Sequence, residues 1–178
     1  MKLPMIHLAC AFAVTLFACS NSKESTNTTA TAETPVPAEP VVAQLGGPGK
    51  TDSLFFSLER TPCFGTCKAY RIEVYRSGFV NYEGRRNAEP EGRHTARVSK
   101  DVMTALLAKA EEVSFFTMQD KYDAEVTDLP STIVRVVGNG KDKKVIGRVG
   151  QPGSFKSFVA FAEEHLLPLP WKPVVAEP

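Results

Sequence analysis

Beyond residue 50 the chain alternates apolar and polar side chains in short runs, and the periods predict its elements. "SLFFSLE" (53–59) places Leu54, Phe56 and Leu58 on one face of a strand. "AYRIEVY" (69–75) does the same with Tyr70, Ile72 and Val74, and "FVNYE" (79–83) with Val80 and Tyr82. The last two runs form a hairpin around "RSG". A two-residue turn at Ser77 and Gly78 would pair Val74 with Asn81 and Ile72 with Glu83, mixing the faces. A three-residue loop, Arg76 to Gly78, pairs Val74 with Val80 and Ile72 with Tyr82, and sets Arg71 against Glu83. Register follows the apolar face, and glycine suits the left-handed end of such a loop. The three-residue loop is therefore expected.

Further along, "GRRNAEPEG" (84–92) reads as a polar loop and "RHTARV" (93–98) as a short strand. "SKDVMTALLAKAEEV" (99–113) changes to a helical period, with Val102, Ala105, Leu106, Ala110 and Val113 on one stripe. Ser99 is its N-cap, and Asp101 suits the first turn. Phe115 and Phe116 are expected to plug the core where that helix ends. "STIVRVV" (131–137) and "KKVIGRV" (143–149) flank "GNGKD", a hairpin signal. A second helix, about Ser154 to Leu166, carries Phe155, Phe158, Ala162 and Leu166 on one face. "LPLPWKP" is too rich in proline to continue it, and Trp171 is expected to fold back. The sum is an α+β domain over 51–171 with a short tail, 172–178. Its expected core is a mostly antiparallel sheet of about five or six strands with two helices on one face.

The segment before the domain has no such period. Residues 20–50 are rich in Ser, Thr, Ala, Pro and Glu and lack aromatics, so they cannot bury a core. They read as a flexible tether spanning about 30 Å on average. Residues 1–18 carry one Lys at position 2 and an apolar run from about Leu8 to Ala18. That run is too short for a membrane span and has the proportions of a secretory signal peptide. Its end, Leu16-Phe17-Ala18-Cys19, resembles a bacterial lipobox, with Phe17 as the departure. The resemblance implies cleavage before Cys19 and lipidation of Cys19. More than one acyl chain there gives lasting attachment. Ser20 after it, rather than Asp, fits the outer membrane under enterobacterial sorting rules. A secreted chain with a free Cys19 is the alternative.

Export alters the reading of the cysteines. Cys10 leaves with the signal peptide and Cys19 takes lipid, which leaves Cys63 and Cys67 as a pair in an oxidising compartment. A disulfide between them closes a loop of about five residues, worth roughly 2 kcal/mol in chain entropy. Pro62 fixes its own φ, and Gly65 permits a left-handed bend. Twenty-one Lys and Arg against 20 Asp and Glu leave a formal charge of +1, which gives no field for nucleic acid.

"TPCFGTCKAY" (61–70), the following "YRSGFVNYEGRR" and the later "GRHTARVS" and "TDLPSTIV" resemble a bacterial domain-of-unknown-function family of exported proteins and lipoproteins. The family's motif is T-P-C-F-G-x-C-P-x-Y, and Lys68 stands where its second proline is usual. The likeness covers roughly 53–166 and implies no reaction, substrate or cofactor.

Three patterns hold candidate chemistry. Cys63 and Cys67 offer a redox pair, but their spacing is not C-x-x-C and no βαβ pattern surrounds them. With His94 they offer soft ligands for copper. Arg85, Arg86, Arg93, His94 and Arg97 form a basic stretch suited to phosphates, acidic glycans or headgroups, or simply a solvated loop. Asp120, Asp123, Glu125 and Asp128 lack the regular spacing and glycine turn of a calcium loop. No nucleophile elbow, phosphate loop or dinucleotide fingerprint is present in the sequence. The expectation is an envelope lipoprotein with no cofactor, acting as a non-catalytic binding module for an envelope protein or glycan. A thiol-redox or copper-handling protein using Cys63 and Cys67 is the alternative.

Overall fold

The computed structural model describes residues 48–124 and 128–175. The signal peptide, Cys19, most of the tether and Glu125 lie outside the described residues. The meander comprises β1 (Leu54–Arg60), β2 (Tyr70–Tyr75), β3 (Phe79–Gly84) and β4 (Gly92–Arg97). Helix α1 (Lys100–Glu112), a 3-10 turn at Phe115–Thr117 and β5 (Lys121–Tyr122) follow. The hairpin β6 (Thr132–Gly138) and β7 (Lys141–Gly147) leads to α2 (Gly153–Leu166) and β8 (Lys172–Pro173).

All the strands join one sheet in the order β5-β7-β6-β1-β2-β3-β4-β8. This corrects the expected sheet of five or six mostly antiparallel strands. Among the described residues the sheet has eight strands and is mixed, because β5 lies parallel to β7. The two unforeseen strands, β5 and β8, are two residues long and occupy the edges. Two residues have no period to read, and Pro173 argues locally against a strand. At the centre, β1 pairs with β2 on one side and β6 on the other, which joins the meander to the second hairpin.

The β2–β3 hairpin adopts the expected three-residue register, Val74 opposite Val80, Ile72 opposite Tyr82 and Arg71 opposite Glu83. Gly78 has φ +79°, and a Cβ there would sit 2.7 Å from the Val98 carbonyl oxygen. Between β6 and β7, Asn139 and Gly140 both have positive φ (51° and 71°), as a tight hairpin turn of matching twist requires. β1 departs from simple alternation. Its register shifts between Leu54 and Phe56, so Phe55 and Phe56 are both buried while Leu54 is half-buried.

Both helices cross the same face of the sheet. Ser99 caps α1, its hydroxyl accepting from the Val102 amide at 3.3 Å. α1 starts beside the lower end of β4 and reaches the β6–β7 turn, where Glu111 meets Lys141 at 3.1 Å. α2 runs back across the upper end. Phe155 abuts Gly147 of β7, Phe158 meets Phe56 of β1 edge-on at 6.1 Å, and Glu163 reaches Arg60 and Tyr70. Phe115 fills the space between, 5.1 Å from Phe158. Trp171 does fold back: its ring lies 4.8 Å from Tyr82 and its indole N–H donates to the Leu167 carbonyl at 3.0 Å. The opposite face of β1 to β4 carries a row of alternating charge, Glu59, Arg71, Glu83 and Arg93, each opposite the next in register. Such cross-strand pairs support the register.

Candidate functional site

The stretch from Arg60 to Tyr70 leaves the upper end of β1 and returns at the start of β2, so each of its residues acts at one pole of the domain. Thr61 ties that pole to β6. Its amide donates to the Ser131 carbonyl at 3.0 Å, and its hydroxyl accepts from the Ser131 amide at 2.7 Å. The sulfurs of Cys63 and Cys67 then stand 2.02 Å apart, at disulfide distance. Gly65 does not use the left-handed backbone that glycine permits, and a Cβ there would meet only the Cys63 sulfur at 3.9 Å.

The start of the β3–β4 loop braces this turn. Arg86 donates from Nη1 to the Cys63 carbonyl at 3.3 Å, and Asn87 donates from Nδ2 to the Cys67 carbonyl at 3.3 Å. Two backbone bonds reinforce them, Ala69 to Arg86 at 2.8 Å and Arg85 to Ala69 at 2.9 Å. At the tip Phe64 is 86% exposed, the reverse of what burial energetics prefer for a phenyl ring. Pro62, Cys63, Phe64, Arg86 and Asp128 line a groove of about 240 Å³ beside it.

Beneath the loop lies a polar knot. The Tyr70 hydroxyl donates to Glu163 Oε1, and Arg60 donates to the same oxygen from Nε at 2.8 Å. Arg60 Nη1 also donates to the Thr132 hydroxyl at 3.0 Å. Burial, and then the Glu163 carboxylate, push the Tyr70 phenol well above its ordinary pKa. Tyr70 thus acts as a neutral donor that pins α2 to the sheet. The sequence reading missed Arg60 and Glu163 as partners, because they lie 103 positions apart. No periodic signal links residues so distant.

The basic stretch does not form one surface. Arg85 turns to the open sheet face, bonding Glu59 at 2.6 Å and Glu83 at 2.8 Å, and thereby holds the Glu83 carboxyl below its usual range. Arg86 serves the cysteine loop. Arg93 ends the charge row, whereas His94 lies on the helix side, its ring 6.2 Å from Tyr82. Arg97 is at the far end of β4, donating to the Ser77 carbonyl at 3.4 Å. His94 is not gathered with the cysteines. Among the described residues no group of three His, Cys, Asp or Glu is arranged to hold a metal ion.

The acidic segment is similarly dispersed. Asp120 pairs with Lys143, and Asp123 pairs with Lys121 at 2.7 Å and Arg148 at 3.5 Å. Each of these two carboxyls is held below its ordinary pKa, first by the hydrogen bond from its lysine. Asp128 flanks the groove beside Phe64. Among the described residues, no helix is long and apolar enough to cross a membrane.

No curated protein matches the chain. The family model for Domain of unknown function (DUF6438) matches residues 54–165, from the first residue of β1 almost to the end of α2. It therefore takes in the cysteine loop, its brace, the Tyr70–Glu163 bond and both helices, and the chain belongs to the DUF6438 family.

Proposed function

We propose that the chain is a lipoprotein of the bacterial cell envelope, held by lipid on Cys19, and that its domain is a non-catalytic binding module. The observation that carries this reading is the polarity of β1. The chain enters at the Leu54 end, where Asp52 accepts from the Ser77 amide at 3.2 Å and Arg76 donates to the Ser53 carbonyl at 3.0 Å. The loop bearing Phe64 leaves from the Arg60 end. A strand of seven residues is about 20 Å long at ~3.3 Å per residue. The exposed aromatic thus stands a strand's length from the point where the tether joins. A lipid-held domain with that polarity offers its loop away from its own attachment, toward an envelope protein or glycan.

The test uses the full chain in a bacterial host. Mass spectrometry of the envelope-bound protein is expected to find a mature N-terminus at lipidated Cys19, and Cys19→Ser is expected to release the protein from the membrane fraction. Alkylation of native material is expected to leave Cys63 and Cys67 unmodified. Alkylated or copper-loaded cysteines would replace this reading with a thiol-redox or copper-handling one. An unlipidated wild-type chain would remove the envelope attachment.

A further inference from the structure

We infer that the pole of the domain where the tether joins is a docking face for the anionic headgroups of the membrane that holds the chain. This rests on the reading of the chain as an envelope lipoprotein and deepens it by giving the domain an orientation. The tether pole lies down on the bilayer, and the Phe64 loop points outward.

The first four strands of the chain end at one level on this pole, with Leu54 opposite Tyr75 and Phe79 opposite Arg97. Four exposed cations gather there. Lys50 precedes β1, Arg76 lies between β2 and β3, Arg97 ends β4 and Lys100 starts α1. Among the described residues none of the four is ion-paired with a carboxylate, whereas Arg60, Arg71, Arg85 and Arg135 each have one within 2.7 Å. Arg76 donates from Nη2 to the Val137 carbonyl at 3.1 Å, and Arg97 donates from Nη1 to the Ser77 carbonyl at 3.4 Å. Those bonds hold the guanidiniums at the pole without neutralising them. Two carboxylates share it. Asp52 is turned onto the amide and hydroxyl of Ser77, and Asp101 lies in the first turn of α1. Lys141 and Glu111 pair with each other at its edge. Cations are therefore in excess.

The position of the face selects a bilayer as its partner. The chain leaves the domain toward Cys19 from this same pole, beside Lys50. A tether spanning about 30 Å on average keeps the face within reach of the lipid. Each Lys or Arg near an anionic surface adds attraction, and an attraction that is weak between separate molecules becomes effective once the partners are linked. The face would rest on headgroups without inserting, because the exposed large apolar side chains, Phe64, Leu129, Leu167, Val174 and Val175, lie elsewhere. The opposite pole has no such excess of cations. There Lys68, Arg86 and Lys156 share the surface with Glu89, Glu91 and Asp128.

The experiment places the mature, lipidated chain on vesicles of phosphatidylcholine alone or mixed with phosphatidylglycerol, with a dansyl acceptor on some headgroups. Trp171 is the single Trp of the chain and packs inside the domain, 4.8 Å from Tyr82, so energy transfer from it reports how close the domain stands to the lipid. Transfer is expected to be greater on the phosphatidylglycerol vesicles and to fall toward the phosphatidylcholine value as salt is raised. The double variant Lys50→Gln and Lys100→Gln changes side chains that make no hydrogen bond among the described residues. It is expected to lower the ratio of docked to free domain about fivefold for each cation removed. The double variant Lys68→Gln and Lys156→Gln removes the same charge from the far pole and is expected to leave the transfer unchanged. Equal transfer on the two kinds of vesicle, or equal losses from the two double variants, would overturn the inference. With Cys19 lipidated, either result leaves the lipoprotein reading standing. A native chain without lipid on Cys19 would overturn both.

Discussion

Tyr70 shows how one hydroxyl serves the architecture. It is the last residue of the cysteine motif and the first of β2, and its phenol reaches across to Glu163 on α2. Tyr70→Phe keeps the ring and removes the donor, leaving Arg60 as the remaining donor to that oxygen. The expected loss is about 1.5–3 kcal/mol in urea unfolding at neutral pH, as for a hydrogen bond to a charged group. The pH dependence follows from the raised phenol. In the unfolded chain it ionises near pH 10, whereas in the fold burial and Glu163 keep it protonated to higher pH. Above about pH 10 the unfolded state therefore binds fewer protons, and stability falls as pH rises. The contribution is complete below about pH 10 and is lost as pH climbs through the folded value. Tyr70→Phe is expected to flatten that alkaline slope, measured as the urea midpoint between about pH 9 and 11. The burial-raised phenols of Tyr75 and Tyr82 leave a residual slope.

Among the elements, the glycines separate rigid packing from tolerant packing. Gly84 ends β3 under the loop to β4, and a Cβ there would lie 1.9 Å from the Pro90 carbonyl oxygen. Backbone cannot swing aside, and the same loop accepts the Tyr82 hydroxyl at the Glu89 carbonyl, 3.3 Å away. Gly138, at the end of β6, would instead bring its Cβ to 2.6 Å from Cδ1 of Leu107. That atom ends a flexible side chain on α1. Gly84→Ala is expected to cost about 1–3 kcal/mol, as overpacking does, and Gly138→Ala distinctly less. Parallel urea titrations decide the ranking. Equal losses would mean that α1 is held as rigidly over β6 as the loop is over β3.

For the whole molecule, the cysteine pair and its brace define a pole. Closing a loop of about five residues contributes roughly 2 kcal/mol through chain entropy. The double substitution Cys63→Ser and Cys67→Ser is expected to lower stability by about that amount, and reductant is expected to weaken the wild type by the same amount. Reductant should leave the double variant unchanged. Because Arg86 and Asn87 hold the loop carbonyls through side chains on a different connection, the double variant is still expected to fold. A loss well above this amount would show that the pole organises the sheet as well as presenting Phe64.

What the sequence determined by itself is local. The Ser99 cap, the faces of α1 and α2, the Asn139-Gly140 turn and the β2–β3 register all depend on residues within a few positions of one another, and all are present in the fold. Periodicity is a short-range signal, so it identifies elements and their buried sides. The tertiary structure decided what short range cannot carry. β5 and β8 are too short to have a period and exist only because β7 and β4 offer them an edge. The bulge that buries Phe55 answers to Tyr75 and Val74 across the sheet. Arg93 and His94 are neighbours in the chain yet sit on opposite faces, since successive strand residues alternate. The motif identified the cysteine loop, but only the three-dimensional arrangement left Phe64 uncovered at its tip and brought Glu163 beneath it. Exposure and long-range pairing are properties of packing, and packing is settled by the whole chain at once.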